Sequence, residues 1–164
     1  ALYSTATPAS FGFTTAFSQY NLSPMIEGRF AFVNAIPADY TQWLAGGLDH
    51  SIGTGTGGNK GYMMLVAPDG VLKEVFRWPV QNLCVGARYE FSAFVANILK
   101  KEYNAIKPNI QFEIRTATSD NTLIATIPSG DVPDYETLTW ARYGMSFYAP
   151  TTSIVLILIT NGPG

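Results

Sequence analysis

Alternation with a period of two runs through most of this chain, and few folds accommodate it. In Asn109-Ile110-Gln111-Phe112-Glu113-Ile114-Arg115, Ile110, Phe112 and Ile114 share one side, and Gln111, Glu113 and Arg115 share the other. A β-strand sends successive side chains to opposite faces, so such a segment needs a core on one side and water on the other. Tyr89 to Val95 repeats the pattern, with Tyr89, Phe91, Ala93 and Val95 in phase, and so does Glu74 to Trp78. Shorter aromatic or β-branched runs, Phe30 to Val33 and Tyr62 to Val66, are bounded by glycine and proline. Thr122 to Ile127 follows the compact turn Ser119-Asp120-Asn121, which reads as a hairpin. Thr139 to Phe147 and Ser153 to Thr160 complete the set, and the latter is apolar on both faces, as a central strand covered from both sides would be. Helical signals are confined to a turn or two within Val95–Tyr103, limited by Pro108, and one turn at Asp39–Leu44. The expectation is an all-β, two-sheet antiparallel β-sandwich (a jelly roll) of about eight or nine strands in a single domain over residues 1–164.

Two segments fall outside this rhythm. Residues 1–17 read as an N-terminal arm, polar at first and then Phe11-Gly12-Phe13-Thr14-Thr15-Ala16-Phe17. Residues 45–61 hold seven glycines together with Asp49, His50 and Asn59, too many for a regular element at low cost. Long loops of this kind tend to be functional or mobile.

Composition narrows the function classes. The chain is 47% hydrophobic and 13% aromatic, which excludes intrinsic disorder. Ten scattered basic residues and a formal charge of −2 make no patch for nucleic acid. Charged residues are only 13% of the chain, against about 25% in ordinary globular domains. That suits an extracellular binding module or a subunit covered by its neighbours. The longest apolar run, Ile154 to Ile159, is six residues, far below the ~20 of a membrane-spanning helix.

Chemistry-bearing constellations are sparse. The single histidine, His50, and single cysteine, Cys84, are the only base and thiol for a triad, and no G-x-S-x-G elbow exists. Cys84 reads as a buried structural thiol. Gly55 to Gly61 has the wrong spacing for a phosphate loop. A zinc site is excluded by the one His and one Cys. Asp131, Asp134 and Glu136 form either a solvated turn or an oxygen-rich calcium loop, and Asp49 with Asn59 offers a second candidate for calcium. Trp43 and Trp78 are candidate stacking platforms for sugar rings, with Glu113 and Arg115 as polar anchors, whereas Trp140 reads as core. The polar faces Glu90/Ser92 and Gln111/Glu113/Arg115 either line a binding sheet or form the ordinary wet surface of a sandwich.

From Asp49 to Gly164 the chain resembles a jelly-roll module of large secreted and surface proteins of Bacteroidetes-type bacteria, similar to galactose-binding and carbohydrate-binding sandwiches. The residues that carry this are Asp49-His50-Ser51, Gly58 to Val66, Leu83 to Ala93, Ile106 to Arg115, Trp140 to Gly144 and Asn161-Gly162-Pro163-Gly164. The resemblance implies a non-catalytic, extracellular adhesion module that binds a glycan or cell-surface polysaccharide, secreted or held at the cell surface. It also implies a structural calcium between loop and terminal strand. In such modules a last strand with paired aspartates follows the Asn-Gly-Pro-Gly segment. This sequence ends at Gly164, so the expectation is an incomplete calcium set and a sheet edge open for pairing. The arm can fill that edge in its own fold or in a neighbour's, which makes a filament subunit assembling by β-strand addition the alternative reading. A glycosidase is the remote third.

Overall fold

A computed structural model describes residues 1–51 and 61–160. It is all-β: β1 (Ser18–Gln19), β2 (Arg29–Val33), β3 (Met63–Ala67), β4 (Glu74–Val80), β5 (Arg88–Val95), β6 (Asn109–Thr116), β7 (Leu123–Asp131), β8 (Ala141–Tyr148) and β9 (Ile154–Thr160). Among the described residues the helical content is two short 3-10 turns, Pro8–Phe11 and Lys101–Tyr103. The turn expected near Trp43 is a single backbone bond, Trp43 N–H to Tyr40 C=O at 3.1 Å.

The largest sheet has the antiparallel order β4-β9-β6-β7. Its central strand β9 is the one the sequence marks as apolar on both faces, and Ile154 to Ile157 are all buried. Ile154 and Leu156 join Phe112 and Ile114 of β6 in one core cluster with Phe91 of β5 and Phe147 of β8. The β5-β8 pair therefore lies face to face with the four-stranded sheet. Phe91 meets Phe112 edge-on at 5.3 Å, an arrangement the ring quadrupoles favour.

The β1-β2-β3 sheet packs beside this pair and is covered on both sides. Phe30 and Phe32 of β2 join Phe13 and Phe17 of the arm, with Val75 and Phe76 of β4 against them. On the other face Ala31, Val33 and Leu65 pack with Met25, Ile36 and Trp43. Phe76 contacts both this aromatic cluster and the main core, so the arm and the sandwich share one apolar wall.

The arm fills an edge in its own chain. Thr14 and Arg77 exchange both backbone hydrogen bonds at 2.9 Å, and Ala16 N–H donates to Glu74 C=O at 2.9 Å. Near its start the arm bridges to β2, with Ser4 N–H to Phe32 C=O at 2.9 Å. Gly12, at φ +81°, takes the left-handed turn that connects Phe11 to Phe13, a conformation that costs other residues a Cβ clash.

Candidate functional site

The four sequence-derived sugar contacts do not converge. Trp43 is a correction: it is 8% exposed, sits in the core beneath β2, and its ring lies 4.9 Å from that of Tyr40. A ring so buried presents no stacking surface. Trp78 is 44% exposed. It pairs across β4 and β9 with Leu156, which turns it to the core side at the sheet rim, 6.2 Å from Phe76. Glu113 and Arg115 lie on the opposite, outward face. Directly opposite residues on neighbouring strands share a face, and Glu113 stands beside Ile157 and Thr126. Arg115 Nε donates to Glu113 Oε2 and Gln111 Nε2 donates to Glu113 Oε1, both at 2.8 Å. Arg115 Nη1 also donates to the Asn121 carbonyl at 2.9 Å. Glu113 is only 5% exposed. These groups are bonded to one another over the buried Ile157, with Arg77 and its partner Glu74 along the same face.

The second polar face, Glu90/Ser92, is built differently. On β5, Tyr89, Phe91 and Ala93 pack inward, so Arg88, Glu90, Ser92 and Phe94 point out. The antiparallel register places Tyr148, Ser146, Gly144 and Arg142 of β8 opposite these four in order. Gly144 and Ser92 leave the middle of the face flat, and Arg142 reaches across it to pair with Glu90 while its Nε donates to Ser92 Oγ at 3.3 Å. A shallow cleft of about 280 Å3 is lined by Glu90, Arg142, Tyr143, Gly144, Met145 and Ser146. Burial, with a smaller effect from Tyr135, raises the Tyr143 phenol above its ordinary value and keeps it neutral.

Exposed rings stand at both ends of this strip. Tyr148 is 70% exposed and Phe94 is 45% exposed. The His50 ring lies parallel to Phe94, with centroids 3.4 Å apart, and Trp140 meets His50 edge-on at 6.4 Å. Trp140 is held by its Nε1–H, which donates to the Leu48 carbonyl at 3.0 Å. The sequence does carry a signal for this platform: Phe94 and Tyr148 are aromatics in the polar phase of otherwise regular strands. The partnership with His50 joins segments some forty residues apart, and no local pattern announces it.

His50 and Cys84 do not form a catalytic pair. Cys84 precedes β5 and His50 sits against its far end, roughly 20 Å away at about 3.3 Å per residue. Cys84 is exposed rather than buried. Its segment is the tight turn to Ala87, closed by Ala87 N–H to Cys84 C=O at 3.1 Å, which leaves no core position for the thiol.

Asp49 is 7% exposed and accepts from the Ser51 amide at 3.0 Å and the Ser51 hydroxyl. Its Oδ1 is buried with no hydrogen-bond partner among the described residues. Gly61 closes over it, since a Cβ there would sit 2.9 Å from Asp49 Cγ. An orphaned carboxylate oxygen is of the donor type that calcium takes, at about six to eight oxygens per ion. The described residues contain no group of three or more His, Cys, Asp or Glu placed to complete a site, and Asn59 lies outside them. In the other acidic loop, Asp134 pairs with Lys107 at 3.3 Å and Asp131 with Asn109 at 3.5 Å.

Among the described residues no helix is long and apolar enough to cross a membrane. In comparisons with known proteins, no family model, curated protein or solved structure matches the chain.

Proposed function

We propose that this chain is a non-catalytic extracellular module that binds glycans through the outer face of β5 and β8. The observation that supports it most is the pairing of exposed rings with a flat polar strip. Phe94 under His50 at one end and Tyr148 at the other offer apolar faces to sugar rings. Between them Glu90, Ser92, Arg142 and Ser146 offer donors and acceptors for hydroxyl groups. Binding follows from stacking and hydrogen bonds, with no covalent step. The jelly-roll resemblance of the sequence points the same way, toward a secreted or surface-held adhesion domain with a structural calcium held in part by Asp49. A glycan array probed with the wild type, Phe94→Ala and Tyr148→Ala tests this. Retention that falls about tenfold in each variant is the expected result, the scale of losing one stacked ring. Silence across diverse glycans, with and without calcium, overturns it.

A second reading, a filament or oligomer subunit assembling by strand addition, draws on the strand edges. Among the described residues β5 and β8 pair only with each other, which leaves an unpaired backbone row on each outer side. Size-exclusion chromatography over a wide concentration range separates the two, because an assembling subunit shifts to larger species and a monomeric binder does not.

A further inference from the structure

The two ends of the β5–β8 face differ in charge commitment. Arg142 is engaged by Glu90 and Ser92. Arg88, opposite Tyr148 in the strand register, gives one bond from Nη2 to Ser146 Oγ at 3.0 Å. No carboxylate among the described residues lies within ion-pair distance of it. On a chain of formal charge −2, this face carries two guanidinium groups against one carboxylate.

Resting on the glycan reading above, we propose that the ligand is an acidic glycan chain whose carboxylate or sulfate group is taken by Arg88. A guanidinium presents a planar fork of donors that matches an oxyanion with two parallel hydrogen bonds. An isolated surface ion pair contributes little. Here the exposed Tyr148 ring beside Arg88 seats the sugar that bears the acid, so the fork and the ring act on one residue of the ligand. The Phe94 platform lies six positions along the strand, roughly 20 Å away at about 3.3 Å per residue. That span calls for an oligosaccharide or polysaccharide rather than a single sugar.

Titration calorimetry on the full chain tests this with three polymers: polygalacturonate, a sulfated glycosaminoglycan and neutral dextran. The expected result is binding to one or both acidic polymers, weakened by added salt. Arg88→Gln should lower that affinity about tenfold, the scale of one charge-assisted hydrogen bond, with an unchanged melting temperature. Arg88→Lys, which keeps the charge and loses the fork, should recover only part of it. Carboxylated and sulfated polymers distinguish the two oxyanions, and binding of either one through Arg88 supports the proposal. It is overturned if dextran binds as tightly as the acidic polymers, or if Arg88→Gln leaves acidic binding unchanged. In those outcomes the Phe94 and Tyr148 dependence still stands, and the glycan reading survives. Absence of binding to every polymer and array glycan removes both.

Discussion

Phe13→Ala is the perturbation that most directly tests how the N-terminal arm is held. Phe13 is 8% exposed, lies 4.9 Å from Phe76 and 6.3 Å from Phe32, and belongs to the cluster joining the arm to β2 and β4. Truncating a buried Phe to Ala costs about 3–5 kcal/mol. The low end applies here, because the arm is terminal and can shift into part of the space. A loss near 3 kcal/mol moves the urea midpoint down by about 1.5 M, for a slope of about 2 kcal/mol per molar. The melting temperature should fall by about 6–12 °C for a chain of this length. Hydrogen exchange supplies the local readout. The Thr14 and Arg77 amides, which bond to each other's carbonyls, should exchange faster in the variant before the β6 and β9 amides do. The freed β4 edge should also raise self-association, since it then offers unpaired N–H and C=O groups. A loss under about 1 kcal/mol with unchanged exchange at Thr14 and Arg77 would show that the arm is not anchored through this ring.

Three other outcomes are expected. Gly144→Ala should destabilise the β5–β8 pair by about 1–3 kcal/mol, because the new Cβ would lie 2.6 Å from Ser92 Cα and the strands must separate; a thermal melt equal to wild type contradicts the close approach. Calcium in excess should raise the melting temperature of the wild type over that in EDTA, by linkage of about 2.7 kcal/mol at a hundredfold over Kd. Asp49→Ala should abolish the difference, and equal wild-type melts in calcium and EDTA reject Asp49 as a ligand. The Lys73 ammonium bonded to Asp69 holds that carboxyl below its ordinary range, with a smaller contribution from the Val71 amide. Because its folded value is depressed, the stabilisation is present above the unfolded carboxyl value and is lost as pH falls through the folded one. In an NMR titration Lys73→Gln should therefore move the Asp69 midpoint upward, and an unmoved midpoint assigns the depression elsewhere.

The arm and the main core meet through Phe76 and Phe91. Their rings are 6.4 Å apart and connect the arm's cluster to the core beneath the β5–β8 face proposed to bind glycans. The rigidity of that face comes from below, from Tyr89, Phe91, Met145 and Phe147 packed against β6 and β9. The outward side chains can then be altered with little effect on the fold, which is what separates the binding variants above from the stability variants.

What alternation determined, it determined closely. The strands read at Asn109–Arg115, Tyr89–Val95 and Ser153–Thr160 appear within a residue or so of their observed limits, and the doubly apolar Ile154–Ile159 run became the central β9. Period two is a property of the backbone, so the faces of each strand are legible from the residues alone. Strand neighbours are not. β1, two residues long and parallel to β2, has no local signature. The polar faces of β5 and β6 look alike in sequence, yet one turns outward from the two-stranded layer and the other from the four-stranded one. Trp43 and Trp78 likewise read alike, as candidate stacking platforms. Loop packing beneath β2 buried the first, and the rim of β4 left the second open. Which ring meets solvent, and which arginine lacks a carboxylate among the described residues, depends on contacts between segments far apart in the chain, and those arise only when the layers close on one another.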